Sequence, residues 1–128
     1  MCGKEAIKRV LVATGQGTCV LSVNDTHGEL VKYAHERLRE INSLRIIGTA
    51  REKGAIVSFE VKGTHPHDIA TIIDRAGVAV RAGTHCVMPL LARYGVTATC
   101  RASFALYNTK AEVDSLAQAL IKAQDIFA

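Results

Sequence analysis

Between Arg81 and Leu90 the chain reads Arg-Ala-Gly-Thr-His-Cys-Val-Met-Pro-Leu. This places the thiol of Cys86 beside the imidazole of His85 and downstream of the guanidinium of Arg81, in a segment with Gly83 on one side and Pro89 on the other. The thiolate is the nucleophilic form of cysteine, and positive neighbours favour it over the thiol. The N-terminus of a helix starting near Pro89 acts in the same direction. The residue types leave a plain alternative open, in which Cys86 is a small buried hydrophobe and His85 a satisfied surface residue. Arg101 is the second candidate, because it interrupts an apolar strand between Cys100 and Ala102. A guanidinium there needs an anionic partner or an opening, since an unpaired buried charge is very costly. Its planar fork suits a carboxylate held by two hydrogen bonds. An ion pair with an Asp or Glu on a covering helix would satisfy it equally well.

Other chemistry-bearing residues carry less. His65 and His67 flank Pro66, and together with His85 and Cys86 they supply metal-binding atoms. Proline forces an extended bond before a helix start, and no fourth ligand is spaced to close a tetrahedral site. Gly15-Gln16-Gly17 fails the dinucleotide fingerprint because Val20 stands where a third glycine is needed. No phosphate-binding GK[ST] motif occurs. Cys100 reads as packing within its strand, and Cys2 and Cys19 receive no role.

The elements that must position these groups are legible downstream of residue 28. Val31, Ala34, Leu38 and Ile41 recur at three- and four-residue steps and predict a helix over 29–41. Leu44–Ile47 and Ala55–Val61 are short, β-branched and followed or preceded by Gly48 and Gly54, as strands are. Pro66 opens a second helix whose buried side is Ile69, Ile72 and Ile73, with Gly77 as its left-handed cap. Val78–Val80 then returns as a strand, and a loop over 81–87 leads to a short helix carrying Leu90, Leu91 and Tyr94, stopped by Gly95. Thr99–Leu106 alternates as a strand does. Thr109 and Glu112 have capping-box spacing ahead of a last helix lined by Val113, Leu116, Leu120 and Phe127. The expected fold is α+β, with a small, mainly antiparallel sheet covered by helices on one face. Residues 1–28 show no sustained period. They read as a peripheral, partly disordered segment with a strand at Val10–Ala13 or at Cys19–Val23.

Composition sets the outer bounds. The 128 residues are 48% hydrophobic and 22% charged with a net charge of +4, as expected of one domain with an adequate core. No apolar run approaches the roughly 20 residues of a membrane span. Basic and acidic residues interleave, as in Lys32, Glu36, Arg37, Arg39 and Glu40, which reads as a solvated helix face and not a nucleic-acid footprint. Four cysteines without CxxC spacing fit a reduced, cytoplasmic setting.

The strings RAGTHCVMPLLARYGV and TCRASFALYNT, preceded by GAIVSFEV and HPHDIATIIDRAGVAVRAG, closely resemble the C-terminal end of the SUF-type (group II) cysteine desulfurases. These belong to the class V aminotransferases of fold-type I. The resemblance runs over residues 29–128 and implies the small C-terminal domain of such an enzyme. It implies that Cys86 is the nucleophile that takes sulfur from L-cysteine as a persulfide, releasing alanine. It implies that Arg101 clamps the substrate carboxylate, with Arg81, Thr84 and His85 around the active site. Thr84 departs from the family, in which many members carry a second histidine there. Family members bind pyridoxal phosphate in a large N-terminal domain, through a lysine with no counterpart among Lys4, Lys8, Lys32, Lys53, Lys62, Lys110 and Lys122. The expectation is an excised or truncated domain that holds no cofactor and is inactive unless joined by that large domain. In the intact family the enzyme is a homodimer that hands sulfur to an acceptor protein for iron–sulfur cluster assembly. Selenocysteine lyase is the neighbouring activity. A non-catalytic sulfur carrier, an acceptor-binding module and an inert remnant are the alternatives.

Overall fold

The computed structural model describes residues 9–10, 25–48, 54–105 and 107–127. In chain order the elements are β1 (Arg9–Val10), α1 (Asp25–Arg39), β2 (Leu44–Ile47), β3 (Ile56–Val61), α2 (Pro66–Arg75) and β4 (Val78–Ala79). They continue with β5 (Arg81–Gly83), α3 (Met88–Arg93), β6 (Thr99–Ser103) and α4 (Lys110–Phe127). The main sheet has the order β2-β3-β6-β5 and every neighbouring pair is antiparallel. A separate parallel pair joins β1 to β4. The fold is therefore the expected α+β arrangement. Of the N-terminal strand expectations, Val10 falls in β1, while Cys19–Val23 and the rest of Val10–Ala13 lie outside the described residues.

Side-chain periodicity explains the layering. In β3, Val57, Phe59 and Val61 are buried, and in β6 Cys100 and Ala102 are buried on the same side. Against that side pack α1 and α2, and α4 packs in turn against α1, α2 and β4. Helix α1 contributes Leu30, Val31, Ala34 and Leu38, continued by Ile41; α2 contributes Ile69 and Ile73; α4 contributes Val113, Leu116, Ala117, Leu120 and Ala123. These positions follow the three- and four-residue steps read from the sequence. Phe127 departs from that reading: it is 44% exposed, because the last turn of α4, with Asp125 and Ile126, is solvated and Ala123 is its last buried position.

Local chemistry sets the ends. Glu112 accepts the Thr109 N–H at 3.1 Å and an amide hydrogen of Asn108 at 2.7 Å, which anchors the start of α4. Pro66 sits in the first turn of α2, and the Gly77 N–H donates to Asp74 O at 2.9 Å past its end. Helix α3 stops at Gly95, whose φ of 72° is open to glycine. Gly95 N–H donates to Ala92 O and Val96 N–H to Leu91 O, both at 3.0 Å, the paired bonds of a Schellman cap. Strand β6 ends at Ser103, short of the expected Leu106, which lies outside the described residues. Of the three residues read for the short helix, Leu91 is buried and Leu90 and Tyr94 are exposed.

Candidate active site on the open face of the sheet

Alternation along a strand sends successive side chains to opposite faces. With Cys100 and Ala102 under α1 and α2, Thr99, Arg101 and Ser103 project from the other face, where Arg45 of β2 donates to Tyr94 O at the end of α3 at 3.4 Å. Register places Ser58 and Arg81 on either side of Arg101. Arg81–Gly83, expected as loop, is thus the edge strand β5, which pairs Arg81 with Arg101, Ala82 with Cys100 and Gly83 with Thr99. The sequence concealed this strand because it is three residues long and follows β4 after a single residue.

The two guanidiniums stand directly across the ladder, an arrangement that is unfavourable for like charges. Neither has an ion-pair partner among the described residues, so the helix carboxylate considered for Arg101 is not its partner. Burial lowers the pKa of Arg101, and the charge of Arg81 lowers it further. Arg101 Nε is buried without a hydrogen-bond partner. Two unneutralised cations and an unspent buried donor can take an anion, and a carboxylate matches the fork.

Beyond β5, the Val87 N–H donates to Thr84 O at 3.0 Å, closing a four-residue turn. Both central residues are left-handed, His85 at φ 53° and Cys86 at φ 61°. Two successive positive φ values are the signature of a type I′ turn, which ordinarily takes glycine or asparagine. For other L-residues each costs about 1–2 kcal/mol. The consequence is that Cys86 stands exposed at a corner of the turn, not buried as a small hydrophobe.

The imidazole of His85 folds back onto β6. Its Nε2 lies 3.1 Å from the backbone oxygen of Thr99. Since that oxygen only accepts, Nε2 carries the hydrogen and donates. Nδ1 is buried without a partner. Burial lowers the His85 pKa; the Thr99 contact opposes this, while Arg101 and Arg81 reinforce it. The ring is therefore held toward its neutral form, and it is not the positive neighbour of Cys86 that its place in the sequence implied. The arginines carry the positive charge of this face.

Cys100 differs from Cys86 in every respect that matters for reactivity. It is 1% exposed, its Sγ donates to Pro66 O at 3.4 Å, and burial pushes its thiol pKa up to about 12. That fits its reading as packing.

Sequence reasoning passed over Thr99, which is 1% exposed although it lies on the side away from α1 and α2, and whose backbone oxygen meets His85. Its Oγ1, like Ser103 Oγ, is buried and unpartnered. The signal was present as polar residues at 99, 101 and 103 alternating with apolar ones. Around the same turn and helix α3, Val87, Met88, Leu90 and Tyr94 are exposed, Met88 by 67%. Apolar side chains concentrated beside unspent polar atoms mark a face for covering. His65 and His67 stack at 5.3 Å between ring centroids near the start of α2. No group of three or more metal-ligating side chains occurs among the described residues, and no described helix is long and apolar enough to cross a membrane.

The structure is thus a small antiparallel α+β domain with an exposed cysteine at a left-handed turn that follows the strand bearing Arg81. Residues 16–116 match the model of the aminotransferase class-V family, so the match begins inside the segment 1–28 that the sequence set apart. The chain belongs to the class-V aminotransferase family. It is 52% identical over 98 residues to a probable cysteine desulfurase of Xylella fastidiosa, covering 77% of this chain and 24% of that protein. It is 45% identical over 127 residues to probable cysteine desulfurase 2 of Mycobacterium leprae, covering 98% of this chain and 29% of that protein. Among solved structures it is similar to the cysteine desulfurase CsdA from Escherichia coli in its S-sulfonic acid form. That similarity has a TM-score of 0.73 and 36% identity, over 80% of this chain and 25% of that one. The chain thus spans about a quarter of the length of the relatives it matches.

The cofactor implied by the resemblance is pyridoxal phosphate. A lysine that holds it as a Schiff base is desolvated in an enclosed site. The described lysines, Lys32, Lys62, Lys110 and Lys122, are all exposed, and Lys110 lies over the Tyr33 ring at 5.5 Å. The described residues do not build a pyridoxal phosphate site.

Proposed function

We propose that this chain provides the persulfide-forming cysteine and the substrate-carboxylate site of a cysteine desulfurase of the SUF type. Cys86 is the nucleophile and Arg101 the carboxylate clamp, with Arg81, Thr84 and His85 around them. The carrying observation is an exposed thiol on a tight turn three residues past β5, the strand that sets Arg81 opposite an unneutralised Arg101. The similarity to cysteine desulfurases supports the same reading.

In this reading Arg101 holds the L-cysteine carboxylate and Cys86 attacks as the thiolate. A sulfur–sulfur bond forms as the substrate's carbon–sulfur bond breaks. The electron pair of the broken bond stays with the carbon fragment, which takes a proton and leaves as alanine. Pyridoxal phosphate is contributed by the remaining length of the family protein, which covers the open face. An acceptor protein then collects the sulfur from Cys86 for iron–sulfur cluster assembly, in a homodimeric, cytoplasmic enzyme. Selenocysteine is the neighbouring substrate.

The test is replacement of the corresponding C-terminal quarter of a cysteine desulfurase by this chain, loaded with pyridoxal phosphate. L-Cysteine should release alanine and leave one added sulfur atom on the Cys86 peptide. Cys86→Ser should abolish the added sulfur, and Arg101→Ala should raise KM for L-cysteine. A folded, loaded chimera that leaves Cys86 unmodified overturns the reading.

The exposure of Cys86 in this chain also favours a second reading, a sulfur carrier without catalysis of its own. It requires that the chain alone gain one sulfur atom at Cys86 beside an active donor enzyme. An unchanged intact mass excludes it.

A further inference from the structure

We propose that His85 is the positioning residue of Cys86: its ring fastens the corner of the turn to the β6 backbone and thereby fixes where the thiol stands. The proposal rests on Cys86 being the nucleophile and deepens that reading.

Three observations carry it. First, both turn corners are left-handed with non-glycine side chains, so the local backbone preference opposes the observed turn. A strained conformation persists only where surrounding structure over-determines it. Second, Cys86 is exposed and has no hydrogen bond among the described residues that could hold its corner. Third, His85 reaches across the chain to Thr99 O at 3.1 Å, and Thr99 is a buried residue of β6, paired with Gly83 of the edge strand β5. The neighbouring corner is thus tied to a buried position of β6, and the thiol is carried by it. The contact also dictates the tautomer. Nε2 keeps its hydrogen, and Nδ1 is left as a buried acceptor without a partner among the described residues; Arg101 and Arg81 are the charged groups that act on the ring.

The experiment uses the 128-residue chain. His85→Asn retains a side chain that tolerates left-handed backbone but is too short to reach Thr99 O. His85→Gln extends a carboxamide N–H toward that oxygen. In amide hydrogen exchange, the Val87 N–H should exchange faster by about fivefold or more in His85→Asn, with Phe59 and Ala102 still protected. His85→Gln should recover roughly half or more of the lost protection. The pH profile of Cys86 alkylation by iodoacetamide should carry a second inflection below 6.5 from His85 ionisation, absent from both variants.

A change in Val87 exchange below about fivefold overturns the proposal, as does a Gln variant no better than Asn or an inflection that persists without His85. Should both variants unfold, heteronuclear NMR of the wild-type ring decides: hydrogen on Nε2 supports the proposal and hydrogen on Nδ1 overturns it. None of these measurements uses L-cysteine or pyridoxal phosphate, so they can fail while the desulfurase reading stands.

Discussion

Arg81 and Arg101 face each other across the β5–β6 ladder, two like charges in direct cross-strand register with no carboxylate between them among the described residues. Like charges directly opposite each other on a ladder are destabilising. Replacing Arg81 by Gln should therefore raise stability by roughly 0.2–1 kcal/mol in urea unfolding. The gain should shrink with added salt, which screens the repulsion. A midpoint equal to or below that of the wild type would show that the two charges do not oppose each other.

Cys86 and Cys100 predict opposite outcomes in native alkylation. The exposed Cys86 should react with iodoacetamide in the folded chain, while Cys100, buried and with its thiol pKa raised to about 12, should react only after denaturation. Peptide mapping separates the two sites. Equal labelling under native conditions would contradict the packing of β6 against α2.

His85 gives stability a pH dependence whose sign follows from its lowered pKa. The unfolded chain takes up the proton first, so the contribution is complete above the unfolded value of 6.5 and declines as pH falls from there toward the folded pKa. Urea midpoints at about pH 7.5 and about pH 5.5 should differ by less in His85→Gln than in the wild type. A larger difference in the variant would mean that the ring is not held neutral.

Phe59 lies at the centre of β3 and is fully buried against the helices. Phe59→Ala should cost about 3–5 kcal/mol, a large part of what a domain of this size has. Thermal or urea unfolding measures it. A loss below about 1 kcal/mol would place Phe59 outside the load of the core.

Much of the fold was legible because burial imposes a period on the sequence. Val31, Ala34 and Leu38 announced α1, Ile69 and Ile73 announced α2, and Gly77 and Gly95 marked helix ends where only glycine relaxes into a left-handed cap. Strand β5 was not legible, since three residues hold no period and only pairing with β6 makes them a strand. The exposure of Phe127 was equally hidden, because a stripe can continue along a helix past the point where there is a core to meet.

For the site, the sequence determined the chemical inventory: a cysteine next to a histidine, an arginine set in an apolar strand, and an order of motifs that identifies the family. Tertiary structure decided which of these groups act together. Pairing placed Arg81 opposite Arg101, although twenty positions apart, because hydrogen bonding between β5 and β6 fixes register by backbone geometry and not by residue type. The left-handed turn at His85 and Cys86 has no sequence signal, since neither residue prefers that conformation; the tie from His85 to Thr99 exists only once β6 is in place. Charge followed the same rule. An imidazole that looked like a cation beside the thiol is pushed toward its neutral form, because burial, and after it the charges of Arg101 and Arg81, penalise the proton.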